Sequence, residues 1–161
     1  MRIVLERYYG DNSITRSVMK VFGKGTGSDD SERLLLACES REPRFADYTE
    51  AFPGSAKCCL AVGVFPCKVV ATDFCPMTLT VIKSPGHRCC RIGWDDVAQV
   101  RTNMVLVGES DGYELPEWRE LVNQRETFEK LTALVYRAYG TGEEIFIEID
   151  NEQLRMNYEE K

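Results

Sequence analysis

The sequence contains a single histidine, His87, and no Cys-x-x-Cys pair. The first shortage rules out a His-rich metal site and any two-histidine metalloprotease motif. The second removes zinc ribbons and thioredoxin-like redox sites, which use that spacing to bring two sulfurs to one metal or to each other. Positive charge is also short, with 20 Lys and Arg against 26 Asp and Glu and a net charge of −6. A non-specific nucleic-acid binder needs clustered Lys and Arg to neutralise phosphates, so no nucleic-acid partner is expected. No apolar run reaches the roughly 18 residues of a membrane-spanning segment, so no membrane partner is expected either. Met1 to Gly10 is broken by Arg2, Glu6 and Arg7 and lacks the uninterrupted apolar stretch of a secretory signal. The expectation is a chain without a signal peptide, in a reducing compartment, with its cysteines as free thiols.

What is present is enough for one domain. A chain of 161 residues with 43% hydrophobic and 10% aromatic content is too apolar to be disordered and long enough to bury a core. The seven cysteines are Cys38, Cys58, Cys59, Cys67, Cys75, Cys89 and Cys90, an odd number that cannot pair completely within the chain. They read first as small buried hydrophobes, with metal binding or thiol chemistry as the alternative. On a strand, the neighbours Cys58–Cys59 and Cys89–Cys90 would point to opposite faces.

The patterns along the chain are mostly those of strands. Arg2 to Tyr9 is β-branched and aromatic, Gly10-Asp11-Asn12 is a turn, and Ser13 to Phe22 returns as the second arm of a hairpin. Gly23 to Asp30 is glycine-rich, but Lys24 is followed by Gly25 and no helical pattern, so a loop is expected rather than a phosphate cradle. Glu32 to Glu39 is a third strand. Ser40 to Lys57, with Pro43, Pro53 and Gly54, reads as a long irregular connection. Cys58 to Thr72 is apolar and β-rich, with Pro66 favouring a strand end or edge. Met77 to Ile82, Cys89 to Trp94 and Met104 to Val107 are further strands.

Helical spacing occurs once, at Phe128, Leu131, Leu134, Val135 and Ala138. Asn123 with Glu126 resembles a capping box, and Gly140 and Gly142 stop the helix. Ile145, Ile147 and Ile149 then alternate with Glu144, Glu148 and Asp150 in the clearest strand of the chain. The fold expected is mainly β, a β-rich α+β domain. It has a short-stranded antiparallel or barrel-like sheet with one C-terminal helix packed on it. Residues 1–150 form a single domain and 151–161 a polar tail.

The order of these motifs resembles an uncharacterised domain family of bacteria, prophages and phages, over Met1 to about Asp150. The matching runs are Met1 to Arg7, Cys38-Glu39-Ser40-Arg41-Glu42-Pro43, Pro85 to Ile92, Val105-Leu106-Val107-Gly108, the helix, and Glu144 to Ile149. That family looks like a distant relative of the L,D-transpeptidases, which crosslink peptidoglycan through a cysteine assisted by a histidine. The resemblance places the histidine at Gly93, after Arg91-Ile92, and the cysteine at Met104, before Val105. A thioether cannot ionise or carry out acyl transfer. No cysteine follows Cys90, so a shift of register does not restore the nucleophile.

The resemblance therefore implies a scaffold without its two reactive groups, and enzymatic activity is not expected. The degenerate site would comprise Arg91, Gly93, Trp94, Asp95, Asp96 and Met104. Trp94 with Asp95 and Asp96 sets carboxylates beside an aromatic ring, as carbohydrate sites do, though a turn with solvated acids explains them equally. His87 and Cys89, two apart, form a weak alternative thiol pair. Acids gather between Glu109 and Glu129 and again after Glu143, and fit solvated faces or a surface for a basic partner. No cofactor, metal or catalytic residue is expected. The function implied is a structural or interaction protein, phage- or prophage-encoded, in a virion or the cytoplasm of the infected bacterial host. Its partners would be other proteins of an assembly, or further copies of the chain. A peptidoglycan-acting enzyme using a relocated thiol such as Cys89, or a peptidoglycan-binding module, is the alternative.

Overall fold

A hairpin opens the fold. β1 (Arg2–Gly10) alternates Ile3 and Leu5 inward, and β2 (Ile14–Lys24) answers with Met19 and Val21, all four fully buried. The computed structural model describes residues 1–24, 31–49, 54–55, 57–72, 75–87, 89–94 and 104–156. The further elements are β3 (Glu32–Pro43), β4 (Gly63–Thr72), β5 (Cys75–Ile82), β6 (Cys89–Gly93), β7 (Met104–Ser110), β8 (Leu121–Val122), α1 (Gln124–Gly140), β9 (Ile145–Asp150) and β10 (Arg155–Met156).

Eight of these strands close into a barrel in the order β1-β2-β3-β7-β6-β5-β4-β9, with β9 returning to β1. The mainly β reading with one packed helix holds, and the barrel-like option is the one adopted. Two of its seams are parallel, β6 with β7 and β9 with β1, and the others are antiparallel. Closure removes the free edges that an open sheet of this size would leave.

Inward-facing Leu79, Val81, Ile92, Val105, Val107, Ile145, Ile147 and Ile149 fill the interior with the β1 and β2 residues. Helix α1 presents Leu131, Val135 and Ala138 to the same core. Each buried Val, Leu, Ile or Met side chain contributes about 1.5–3 kcal/mol as an upper estimate. The helix stops as its glycines indicate. Gly142 adopts φ +75°, its N–H reaches the Tyr139 carbonyl and the Glu143 N–H reaches Ala138, a Schellman arrangement.

Several sequence expectations are corrected. Strand β3 continues to Pro43 instead of stopping at Glu39, because its inward residues there are Ser40 and Glu42, polar yet fully buried. Strand β4 begins at Gly63. Cys58 and Cys59 precede it in a loop, and both are buried. Pro66 lies inside β4, but the β5 pairing begins only at Cys67. Asn123 does not cap α1 with its side chain. It adopts a left-handed conformation, and its Nδ2 donates to Glu109 Oε2 at 2.8 Å. Within the expected polar tail, Arg155–Met156 adds a short parallel strand to β1.

Candidate functional site

The parallel pairing of β6 with β7 sets Arg91 opposite Met104, Ile92 opposite Val105 and Gly93 opposite Leu106. Gly93 and Met104 are neighbours. A Cβ placed on Gly93 would lie 3.0 Å from Met104 Cε. The two positions where a histidine and a cysteine were expected are thus side by side, filled by a thioether and by no side chain. Arg91 is exposed on the outer face, and Trp94 follows at the end of β6. Asp95 and Asp96 lie outside the described residues.

Trp94 borders an open cleft of about 470 Å³ against the first turns of α1. Leu121, Asn123, Gln124, Arg125, Glu126 and Glu129 complete its lining. Gly108 allows this close approach, since a Cβ there would lie 2.9 Å from the Val122 carbonyl oxygen. Arg125 Nε already donates to Glu129 Oε1 at 3.1 Å. The cleft offers an indole, amides, a guanidinium and carboxylates. These groups can bind polar ligands but supply no thiol or imidazole.

Four of the thiols are held away from reactivity. Burial pushes Cys38 and Cys67 up to about 12, and also raises Cys59 and Cys90. A nucleophilic thiol needs the opposite shift. On β6, Cys89 is exposed and Cys90 buried, as the strand alternation requires. His87 is buried, with Nε2 3.2 Å from the Tyr48 hydroxyl, which itself donates to the Cys59 carbonyl. His87 and Cys89 therefore occupy different environments.

The residues with the densest bonding escaped sequence reading. Arg7 and Glu42 form a fully buried bidentate pair, Nε to Oε2 at 2.8 Å and Nη2 to Oε1 at 2.7 Å. Arg7 Nη2 also donates to the Leu60 carbonyl and Nη1 to Asn151, while Glu42 Oε1 accepts the Leu60 N–H. Burial disfavours the Arg7 charge, but the charge and hydrogen bonds of Glu42 outweigh it and hold the guanidinium above its usual value. This cage ties the Cys58–Ala61 loop to the barrel and exposes nothing to a substrate.

The segment from Asp111 to Glu120, between β7 and β8, is organised differently. Asp111 accepts the Tyr113 and Glu120 N–H groups, and its own N–H reaches the Glu120 carbonyl. Arg119 Nε donates to the Tyr113 carbonyl at 2.7 Å and Nη1 to the Tyr8 hydroxyl at 3.2 Å, with the guanidinium 5.4 Å from the Tyr8 ring centre. Arg41 Nη1 bonds Glu120. This clamp lays the loop over the outer face of β1–β3, above the cross-strand pair Arg16 and Arg41. Burial and the adjacent Arg41 charge lower Arg16.

On the outside of the loop, Tyr113, Leu115 and Trp118 are 63%, 57% and 67% exposed. Around them Glu114, Glu117 and Glu120 are also exposed. An apolar trio on a hydrogen-bonded frame with an acidic rim is what the sequence showed only as a run of acids. No family model, curated protein or solved structure matches the chain.

Proposed function

We propose that the chain is a non-catalytic interaction protein, phage- or prophage-encoded, built on a degenerate L,D-transpeptidase-like scaffold. It docks through the Asp111–Glu120 loop onto a basic protein partner in a virion or other assembly. The observation that carries this reading is the exposed Tyr113–Leu115–Trp118 trio on a frame fixed by Asp111 and Arg119. Large aromatic side chains held in place lose little freedom on binding and are the common anchors of interfaces. The acidic rim favours a partner whose apolar socket is bordered by Lys or Arg. Gly93 and Met104, side by side without a nucleophile, support the non-catalytic part.

The test uses the purified chain. Trp118→Ala should weaken partner binding by roughly tenfold or more, as truncating an interface anchor does, while leaving the melting temperature unchanged. Added salt should also weaken binding. Turnover of muropeptides by the wild-type chain, abolished by thiol alkylation, would establish the peptidoglycan enzyme instead. Retention on purified cell wall unaffected by Trp118→Ala would favour the peptidoglycan-binding module.

A further inference from the structure

Arg16 stands on β2 directly opposite Arg41 on β3, on the outer face that the Asp111–Glu120 loop covers. It is only 2% exposed. Its Nε and Nη2 are buried and have no hydrogen-bond partner among the described residues, and the same holds for Arg41 Nε. Nε and Nη2 form one edge of the guanidinium. It is the edge with which Arg7 grips both oxygens of Glu42. Arg16 carries the same fork with no carboxylate against it.

The acids nearest Arg16 are each engaged elsewhere. Asp11 accepts the Tyr9 hydroxyl through Oδ2 and the Ser13 and Ile14 N–H groups through Oδ1. Glu39 Oε2 accepts the Tyr8 hydroxyl at 2.8 Å, and its Oε1 lies 4.0 Å from Arg119 Nη1. Glu120 accepts from Arg41 Nη1 at 3.3 Å, and its side chain is 60% exposed. Charges shut away from water are as a rule paired. Here a buried guanidinium has a second guanidinium beside it and no acceptor on its fork. Water would satisfy the donors but would leave the two like charges side by side.

We infer that Arg16 and Arg41 form a binding site for a small free oxyanion of the phosphate or sulfate type, enclosed beneath the Asp111–Glu120 loop. The Nε–Nη2 edge of Arg16 holds two of its oxygens, the bidentate geometry that a planar guanidinium offers to such ions. Arg41 supplies the second positive charge. Its single bond to the exposed Glu120 is the contact that gives way to admit the ion. Because the loop shuts Arg16 in, the site takes a free ion over a phosphate carried on a macromolecule. Tyr113, Leu115 and Trp118 stand on the outside of the loop, so this site does not depend on docking through them.

Calorimetric titration of the full chain with inorganic phosphate, in chloride buffer at constant ionic strength, tests it. One phosphate per chain should bind saturably. Sulfate should compete, and a phosphoserine peptide should not. At about tenfold above its Kd, phosphate should raise the melting temperature by about 3–6 °C over chloride. Arg16→Met removes the fork and should weaken phosphate binding by roughly tenfold or more. It should not lower the melting temperature in chloride, because it removes an unpaired buried charge. Glu120→Gln withdraws the carboxylate that competes for Arg41 and should tighten binding. A wild type that binds no phosphate saturably overturns the inference. So does a folded Arg16→Met that binds as tightly as the wild type, or competition by the phosphoserine peptide. Stabilisation that rises without saturation and persists in Arg16→Met would mark a general salting effect and overturn it equally.

Discussion

Arg7 and Glu42 show how the polar interior is held together. Each is shut away from solvent, and each is satisfied only because the other and the Leu60 backbone are in place. Removing one partner leaves a buried charge uncompensated, at a cost of about 3–5 kcal/mol. Arg7→Ala should therefore lower the melting temperature by about 6–20 °C, given about 2–4 °C per kcal/mol at this chain length. A small change would mean that water reaches Glu42. Neither residue was legible as a core residue. On a strand, isolated charges read as outward-facing, and the two are 35 positions apart. Cys38, Cys58, Cys59, Cys67 and Cys90 were legible as core filling, because free cysteine behaves as a small hydrophobe, whereas Cys89 is exposed. The raised values of Cys38 and Cys67 also set a pH window. In Cys38 and Cys67 the folded value lies above the unfolded one. Their contribution to stability is therefore complete below about 8.5, the ordinary thiol value. It is lost as pH rises from there toward the folded value of about 12. Chemical denaturation at stepped pH should show stability falling across that alkaline range. A flat profile would contradict burial of these thiols.

Among the elements, α1 and β9 were read from the sequence because their apolar periods of 3.6 and 2 are unbroken. The C-terminal end of β3, from Ser40 to Pro43, was not, because Ser40 and Glu42 face inward and interrupt the alternation. The capping expectation at Asn123 failed for a local reason. The chain must turn sharply from β8 into α1, and the left-handed conformation of Asn123 makes that turn while its amide bonds Glu109. The Asp111–Glu120 loop appeared only as acidic. Its order comes from Arg119, which bonds Tyr113, Glu114 and Tyr8 at once. Arg119→Ala should cost about 1–3 kcal/mol, as loss of charge-assisted hydrogen bonds does. It should also speed amide exchange between Gly112 and Trp118 without affecting the β1–β2 hairpin. Unchanged exchange in the loop would show that its frame stands without Arg119.

At the scale of the whole molecule, the sequence pointed to an antiparallel or barrel-like sheet with a helix, but neither to which of the two forms nor to how it closes. The seam between β1 and β9 joins residues more than a hundred positions apart, and no local pattern encodes that partner. The β6–β7 seam was equally hidden. It nevertheless brings Gly93 beside Met104, the two positions the family resemblance had singled out. The acidic balance acquires a location in the same way, in the rim around Tyr113, Leu115 and Trp118.

The most direct test is photocrosslinking in the native assembly from a photoreactive phenylalanine analogue replacing Trp118. The expected result is one protein species captured in fixed ratio to the chain, joined through a peptide bearing Lys or Arg, with yield falling as salt rises. Absence of any crosslink from this position, or a diffuse set of products insensitive to salt, would contradict docking through the loop.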